Sequence, residues 1–404
     1  MWQVIYRIPL YTDYTPEGIP IYGFGLMLFL AFLLCTWLAS KRAPTEGIHP
    51  DTIQDMAFWI VVSGLIGART MSLLTRTPPV STLTEFLVEL PRIWDGGIVL
   101  YGSVLGGLVG FFTAYFLFYR RKGLNILRFL DTIAPAIALG LVLGRMGCFL
   151  NGCCYGMVAC ANCVSVTPVG FPLCAPAREV LVSNGSQTVA GFTCLPFASE
   201  AGAGVEIDLV DPQSAAARAG LQAGDRIVAL NGKPVRTFEE LSVGLALGPS
   251  SENWPRGRSL LELTVIPRGE HQEKTIRFTP YTLGLYPTQL YEVMSMFLLM
   301  LVLMAYYPLR RNPGQVMALL MIGYGLHRYL NELLRDDPRP KGVESYGSVI
   351  LVVGGLLLWG WLQALPKAPP ATPLSLEPKP SDSSSSDPSG QSSQQPAAPP
   401  TAAR

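Results

Sequence analysis

The chain has 404 residues, 49% apolar and 15% charged, with a formal net charge of +1. Soluble globular chains carry about 25% charged residues, so this composition, with a mean hydropathy of +0.32, argues against an ordinary soluble protein and for a membrane one. Near-neutral charge also leaves no basic surface for nucleic acid.

The N-terminal stretch MWQVIYRIPLYTDYTPEGIP is aromatic and Pro-containing and reads as an interfacial arm. No basic n-region precedes the first apolar run and no small-residue cleavage site follows it, so no cleavable signal peptide is expected. Seven segments then approach the roughly 20 residues that a spanning helix needs: 21–40, 55–75, 97–119, 129–150, 287–308, 314–334 and 345–365. Lys41, Arg42, Arg120, Arg121, Lys122, Arg128, Arg310, Arg311 and Lys367 fall on one set of loops. Arg7, Arg76, Arg92, Arg335, Arg339 and Lys341 fall on the other, the long insert left aside. Cytoplasmic loops hold the excess of Lys and Arg. The N-terminus is therefore expected outside and the C-terminus in the cytoplasm.

A long insert separates the fourth and fifth spans, on the outer side by this topology. Its first part, 157–200, is Cys- and Pro-containing and reads as irregular. Its second part, 201–280, reads as a soluble domain: AAARAGLQAGDRIVALNGKPV (215–235) predicts a short helix, a Gly turn, a strand at 226–230 and an Asn231-Gly232 hairpin turn. A helix near 238–247 and strands near 260–266 and 274–278 follow. The Ala-Gly-Leu-x-x-Gly-Asp-x-Ile pattern resembles PDZ domains. That resemblance implies capture of an extended peptide at a sheet edge, with a carboxylate loop around Gly202 to Val205; a folded spacer that binds nothing is the alternative. The tail 367–404 is Pro, Ser, Ala and Gln and cannot bury a core. The expected fold is thus an all-α polytopic membrane protein of seven transmembrane helices (1–156 and 284–366) with an inserted small α+β PDZ-like domain.

Three polar clusters interrupt the apolar spans. The first is Trp94-Asp95-Gly96-Gly97-Ile98-Val99-Leu100-Tyr101-Gly102, whose glycines allow close helix approach and whose aromatics suit the interface. The second, Gly144-Arg145-Met146-Gly147-Cys148-Phe149-Leu150-Asn151-Gly152-Cys153-Cys154-Tyr155-Gly156, places an arginine just inside the fourth span. That costs about 2.5–3.5 kcal/mol on insertion scales and calls for an anion or carbonyls as partner. The third runs from Gly323 to Arg335; Tyr324, Arg328, Glu332 and Arg335 are spaced to share one helix face. The fifth span opens with Tyr286-Pro287-Thr288-Gln289-Leu290-Tyr291-Glu292, adding a carboxylate at the outer surface. Two outward guanidinium groups suit a phosphodiester headgroup.

At these residues the sequence resembles the prolipoprotein diacylglyceryl transferases. That family carries a Trp-Asp-Gly-Gly stretch, Gly-Arg-x-Gly-x-x-x-x-Gly, a Pro-Ser-Gln-Leu-Tyr-Glu-like motif, and Gly-Tyr-Gly-x-x-Arg followed by a helical Glu and Arg. All four are matched in order, over about 1–156 and 284–365. The resemblance implies transfer of diacylglyceryl from phosphatidylglycerol to the lipobox cysteine of a prolipoprotein at the bacterial inner membrane, without metal or organic cofactor. It implies Arg145 and Arg328 as phosphate ligands, and Tyr101 and Glu332 as further catalytic residues. Tyr22, Arg69, Asn151, Gly156, Gln289, Tyr324 and Arg335 are implied on the substrate. The chain departs from the family in several places, of which Thr288 for the serine of the Pro-Ser-Gln motif is the mildest. Tyr101 stands where many members carry a histidine read as a base, and a tyrosine of pKa about 10 is a poor base at neutral pH. Cys148 and Cys153 stand where the motif has Asn and Glu. The insert lies outside the common plan.

Of eight cysteines, Cys160, Cys163, Cys174 and Cys194 lie in the insert, where an oxidising compartment favours two disulfides in any of three pairings. Cys35 reads as span packing. The cysteines also leave open an alternative function, a membrane thiol–disulfide redox protein.

Overall fold

The computed structural model describes residues 3–10, 18–76, 82–92, 100–159, 169–171, 176–196, 204–246, 260–335 and 343–374. The N-terminal arm is a two-stranded antiparallel ribbon of β1 (Val4–Ile8) and β2 (Ile19–Tyr22). It leads directly into α1 (Gly23–Arg42). Then come α2 (Pro50–Thr75), α3 (Leu83–Glu89), α4 (Leu100–Ala114) and α5 (Ile126–Asn151). Their starts follow local chemistry. Pro sits in the first turn of α2 after His49, Thr82 accepts from the Glu85 N–H ahead of α3, and the Asn125 side chain accepts from the Leu127 and Arg128 N–H groups ahead of α5. Beyond α4 a π-helical turn, Tyr115–Tyr119, completes the third predicted span.

In the insert, α6 (Pro176–Ser183) and β3 (Phe192–Cys194) precede β4 (Val205–Val210), α7 (Ala215–Arg218), β5 (Arg226–Leu230) and β6 (Lys233–Pro234). After these come α8 (Phe238–Leu245), β7 (Leu261–Ile266) and β8 (Lys274–Phe278). The membrane part resumes with α9 (Thr288–Tyr306), α10 (Gln315–Glu332) and α11 (Val343–Ala364).

Among the described residues, six helical stretches are long and apolar enough to cross a membrane; they correspond to every predicted span except 314–334. That segment does form α10, but His327, Arg328, Asn331 and Glu332 make its second half polar. Helix α5 is central, packing against α1, α9 and α10. The α2–α4 pair is held by small residues: a methyl added at Gly67 or Gly102 would collide with the carbonyl of the other. Far from the insert, Asp131 of α5 accepts from the Gly314 and Met317 N–H groups at 2.8 and 2.9 Å, capping α10 across the bundle. Arg310 pairs with the same carboxylate at 3.1 Å.

The insert's sheet has the order β3-β4-β5-β7-β8, with β6 paired to β5. Its core includes Val205, Ile207, Ile227, Leu261, Leu263 and Val265. The Asn231-Gly232 turn has φ of 50° and 78°, the left-handed pair a tight hairpin requires.

Three readings from sequence change. The stretch 157–200 is not irregular throughout: α6 is pinned by fully buried Arg178, which donates to the carbonyls of Val189 and Tyr281. β3 also extends the sheet back to Phe192. Arg335 is not on the α10 face, because the helix stops at Glu332 and the Arg335 backbone pairs with Gly156 in an isolated bridge. Cys194 is a free thiol, not half of a disulfide; burial and the charge of Asp208 push it up to about 12. Cys160, Cys163 and Cys174, residues 94–99 of the first motif, and 202–203 of the expected carboxylate loop lie outside the described residues.

Candidate functional site

Three of the four motifs converge where the insert joins the membrane helices. On α9, Gln289, Glu292, Met296, Met300 and Leu303 are buried, a helical stripe that turns Glu292 into the bundle. Its side chain has 0% exposure. A bare carboxylate at such a depth costs several kcal/mol, and two other helices supply its partners. Arg145 Nε of α5 lies 3.0 Å from Glu292 Oε1. Asn331 of α10 donates to Oε2 at 3.1 Å. Arg328 of α10 has a guanidinium nitrogen 4.0 Å from Oε2 and another 3.6 Å from Glu332, four residues along the helix.

The two arginines, from separate helices, thus meet at one buried carboxylate. Arg335 and the phenol of Tyr324 act electrostatically on Arg328, and Tyr324 on Arg145 as well. Three arginines and two glutamates therefore gather here, one formal positive charge in excess.

The end of α5 is built for reversal. Gly152 takes φ 76°, and the Gly152 and Cys153 N–H groups both donate to the Cys148 carbonyl, a glycine-closed helix end. The chain then runs beside the start of α9. Gln289 donates to the Cys153 carbonyl at 2.7 Å and Thr288 to the Cys154 carbonyl at 3.0 Å. Gly156 donates to the Tyr286 carbonyl at 3.0 Å, and a Cβ there would lie 2.7 Å from that oxygen. The carbonyl of Asn151 receives Gln3 of the arm at 3.0 Å. Tyr22 sits at the β2–α1 junction at the same end, 41% exposed.

The remaining predicted residues are placed differently. Arg69 is buried in α2 and donates to the Glu89 carbonyl at 3.3 Å. Tyr101 lies in the first turn of α4, and its side chain is outside the described residues. Sequence reading placed Glu292 only at the outer surface and passed over Asn331 and His327. His327 shares a hydrogen bond with Ser295 at 2.9 Å and lies 4.0 Å from Glu292. An acid inside an apolar span is itself the signal that marks Glu292.

Fold and site together define a polytopic membrane protein with a buried cluster of arginines and glutamates at one end of its helix bundle, the outline of a membrane-embedded enzyme. The chain belongs to the prolipoprotein diacylglyceryl transferase family, whose sequence profile matches residues 14–361. It is similar to the phosphatidylglycerol–prolipoprotein diacylglyceryl transferase of Rhodopirellula baltica, 27% identical over 85% of this chain and 72% of that one. The enzymes of that name from Clostridium tetani and Thermus thermophilus are 33% and 34% identical over 34% and 37% of this chain, covering 53% and 49% of theirs. One solved structure, the HtrA3 PDZ domain bound to a phage-derived ligand, matches at 22% identity over 30% of this chain and 87% of that one, with a TM-score of 0.16.

Proposed function

We propose that this chain transfers the diacylglyceryl group of phosphatidylglycerol to the lipobox cysteine of a prolipoprotein, and that Arg145 and Arg328 hold the lipid phosphate. The observation that carries this is the meeting of both guanidinium groups at fully buried Glu292. Glu292 orients the pair and the excess positive charge receives the headgroup. The acceptor sulfur attacks the glycerol carbon that bears the phosphate; the C–O bond breaks, and glycerol phosphate leaves with the electron pair. Negative charge grows on the leaving phosphate, where fixed guanidinium groups stabilise it without reorganisation.

Asn151, Gly156, Gln289 and Tyr22 border the headgroup, Tyr324 supports both arginines, and Glu332 and Arg335 complete the charge network around Arg328. Arg69, on α2, and Tyr101, on α4, are further substrate residues in this reading. In this reading α10 is the seventh span, its polar half shielded by α9 and α11. The N-terminus and insert are extracytoplasmic and the C-terminus cytoplasmic, because Lys41, Arg42, Arg128 and Arg310 gather at the end opposite the site. The insert is PDZ-like, from its sequence pattern and its order of elements, and takes a peptide at its sheet edge. Nothing in the family match supports the thiol–disulfide alternative.

The test uses purified full chain, phosphatidylglycerol vesicles and a lipobox peptide, with the peptide mass as readout. Wild type adds the diacylglyceryl mass. Arg145→Ala and Arg328→Ala are each expected to lose about 10²–10³-fold in rate, as when one preorganised donor is removed. Full transfer by either variant overturns the assignment.

A further inference from the structure

Three thiols stand beside this site with no role in the mechanism above. Cys148, Cys153 and Cys154 have their sulfurs within 4.8 Å of one another. All three are free and only partly buried. The reversal at Gly152 brings them together: it folds Cys153 and Cys154 back over the last turn of α5, where the Cys153 thiol lies 3.7 Å from the Cys148 carbonyl. Cys154 holds a left-handed backbone, φ 60°, which a non-glycine residue rarely adopts. Gln289, 1% exposed, fixes the Cys153 carbonyl and keeps its own Oε1 without a hydrogen-bond partner. Arg145 and Arg335 act electrostatically on the Cys154 sulfur.

From this convergence we infer that Cys148, Cys153 and Cys154 form a three-thiolate site for a thiophilic divalent cation, zinc above all, whose fourth position takes the acceptor thiol. Zinc–sulfur bonds of about 2.3 Å at tetrahedral angles set the sulfurs about 3.8 Å apart, a small closure from the spacing present. Three protein ligands with one open position is the arrangement of catalytic rather than structural zinc. The acceptor thiol loses its proton to solvent on coordination and remains a thiolate on the metal, a nucleophile held beside Arg145. When sulfur bonds to the glycerol carbon, glycerol phosphate leaves and the neutral thioether, a weaker ligand, is released from zinc. Only the identity of the fourth ligand rests on the proposed function; the metal site does not.

Full chain purified in detergent under reductant is equilibrated with zinc, desalted, and its metal content measured. One equivalent is expected for wild type, and also for Cys35→Ser and Cys194→Ser, which lie outside the cluster. The Cys148→Ser/Cys153→Ser/Cys154→Ser variant is expected to retain none. Cobalt in place of zinc is expected to show thiolate charge-transfer absorption that shifts on adding a lipobox peptide but not its Cys→Ser analogue. No metal in wild type, equal metal in the triple variant, or a disulfide within the cluster in protein isolated without reductant overturns the site. Metal binding without the peptide-dependent shift overturns the thiol role. Transfer is assayed in parallel on the same samples. A cobalt shift without transfer sinks the proposed function and leaves the metal site standing; transfer without metal does the reverse.

Discussion

Glu292 makes the clearest case at the scale of single residues. It has 0% exposure and touches Arg145, Arg328 and Asn331 from two other helices, whereas Glu332 is 18% exposed and meets Arg328 at 3.6 Å. Removing one partner from a fully buried charge network costs about 3–5 kcal/mol, and a pair that keeps some contact with solvent is worth less. Glu292→Gln is therefore expected to lower the thermal midpoint in detergent far more than Glu332→Gln, and to slow transfer by misaiming both arginines. Equal midpoints for the two variants would show that Glu292 is not the hub. Arg145 and Arg328 were legible in the sequence because a guanidinium in an apolar span demands an explanation. The role of Glu292 was not, since its partners come from α5 and α10, and no local spacing reports that meeting. The trio Cys148, Cys153 and Cys154 was visible as letters, but its convergence depends on the left-handed turn at Gly152.

At the scale of elements, the apolar runs placed the long membrane helices to within about five residues, and the hairpin signal at Asn231-Gly232 placed the turn after β5. Helix ends set by tertiary contacts were less readable. The α10 helix stops at Glu332 because the following residues bond to the strand-like segment at Gly156 and Met157. The α2–α4 contact was foreshadowed by Gly102 in the first motif, although its partner Gly67 carried no signal of its own. That contact yields a sharp comparison. Gly67→Ala pushes a methyl into the Gly102 carbonyl, whereas a Cβ at Gly25 of α1 meets nothing within 4 Å. Overpacking costs about 1–3 kcal/mol, and Ala in an open helix position gains about 0.5–1 kcal/mol over Gly. Gly67→Ala is expected to lower the melting temperature while Gly25→Ala holds or raises it. If both variants melt like wild type, the backbones of α2 and α4 are not in contact.

At the scale of the whole molecule, the insert hangs from the membrane helices by a narrow neck. Ala159 donates to the Gly284 carbonyl at 2.8 Å, and Val169 exchanges backbone bonds with Leu285. Above this neck, Tyr155, Phe171, Ala177, Leu181 and Leu285 form a small apolar cluster that roofs the end of α5. The sheet beyond has its own separate core. The guanidinium of Arg178 reaches the carbonyls of both Val189 and Tyr281, so the two strands of chain leading into the sheet lie within one side chain of each other. Termini this close tolerate excision. Replacing residues 191–280 by a short Gly-Ser linker, with α6 and Arg178 kept, is expected to leave the neck, Gly156 and the arginines in place. Transfer to a short lipobox peptide should then match wild type, since every residue assigned to the reaction lies below the cut. Transfer to a full-length precursor should slow if the sheet presents the substrate. Loss of peptide transfer in the excised chain, with its helices intact by circular dichroism, would show that the sheet domain completes the reaction site itself.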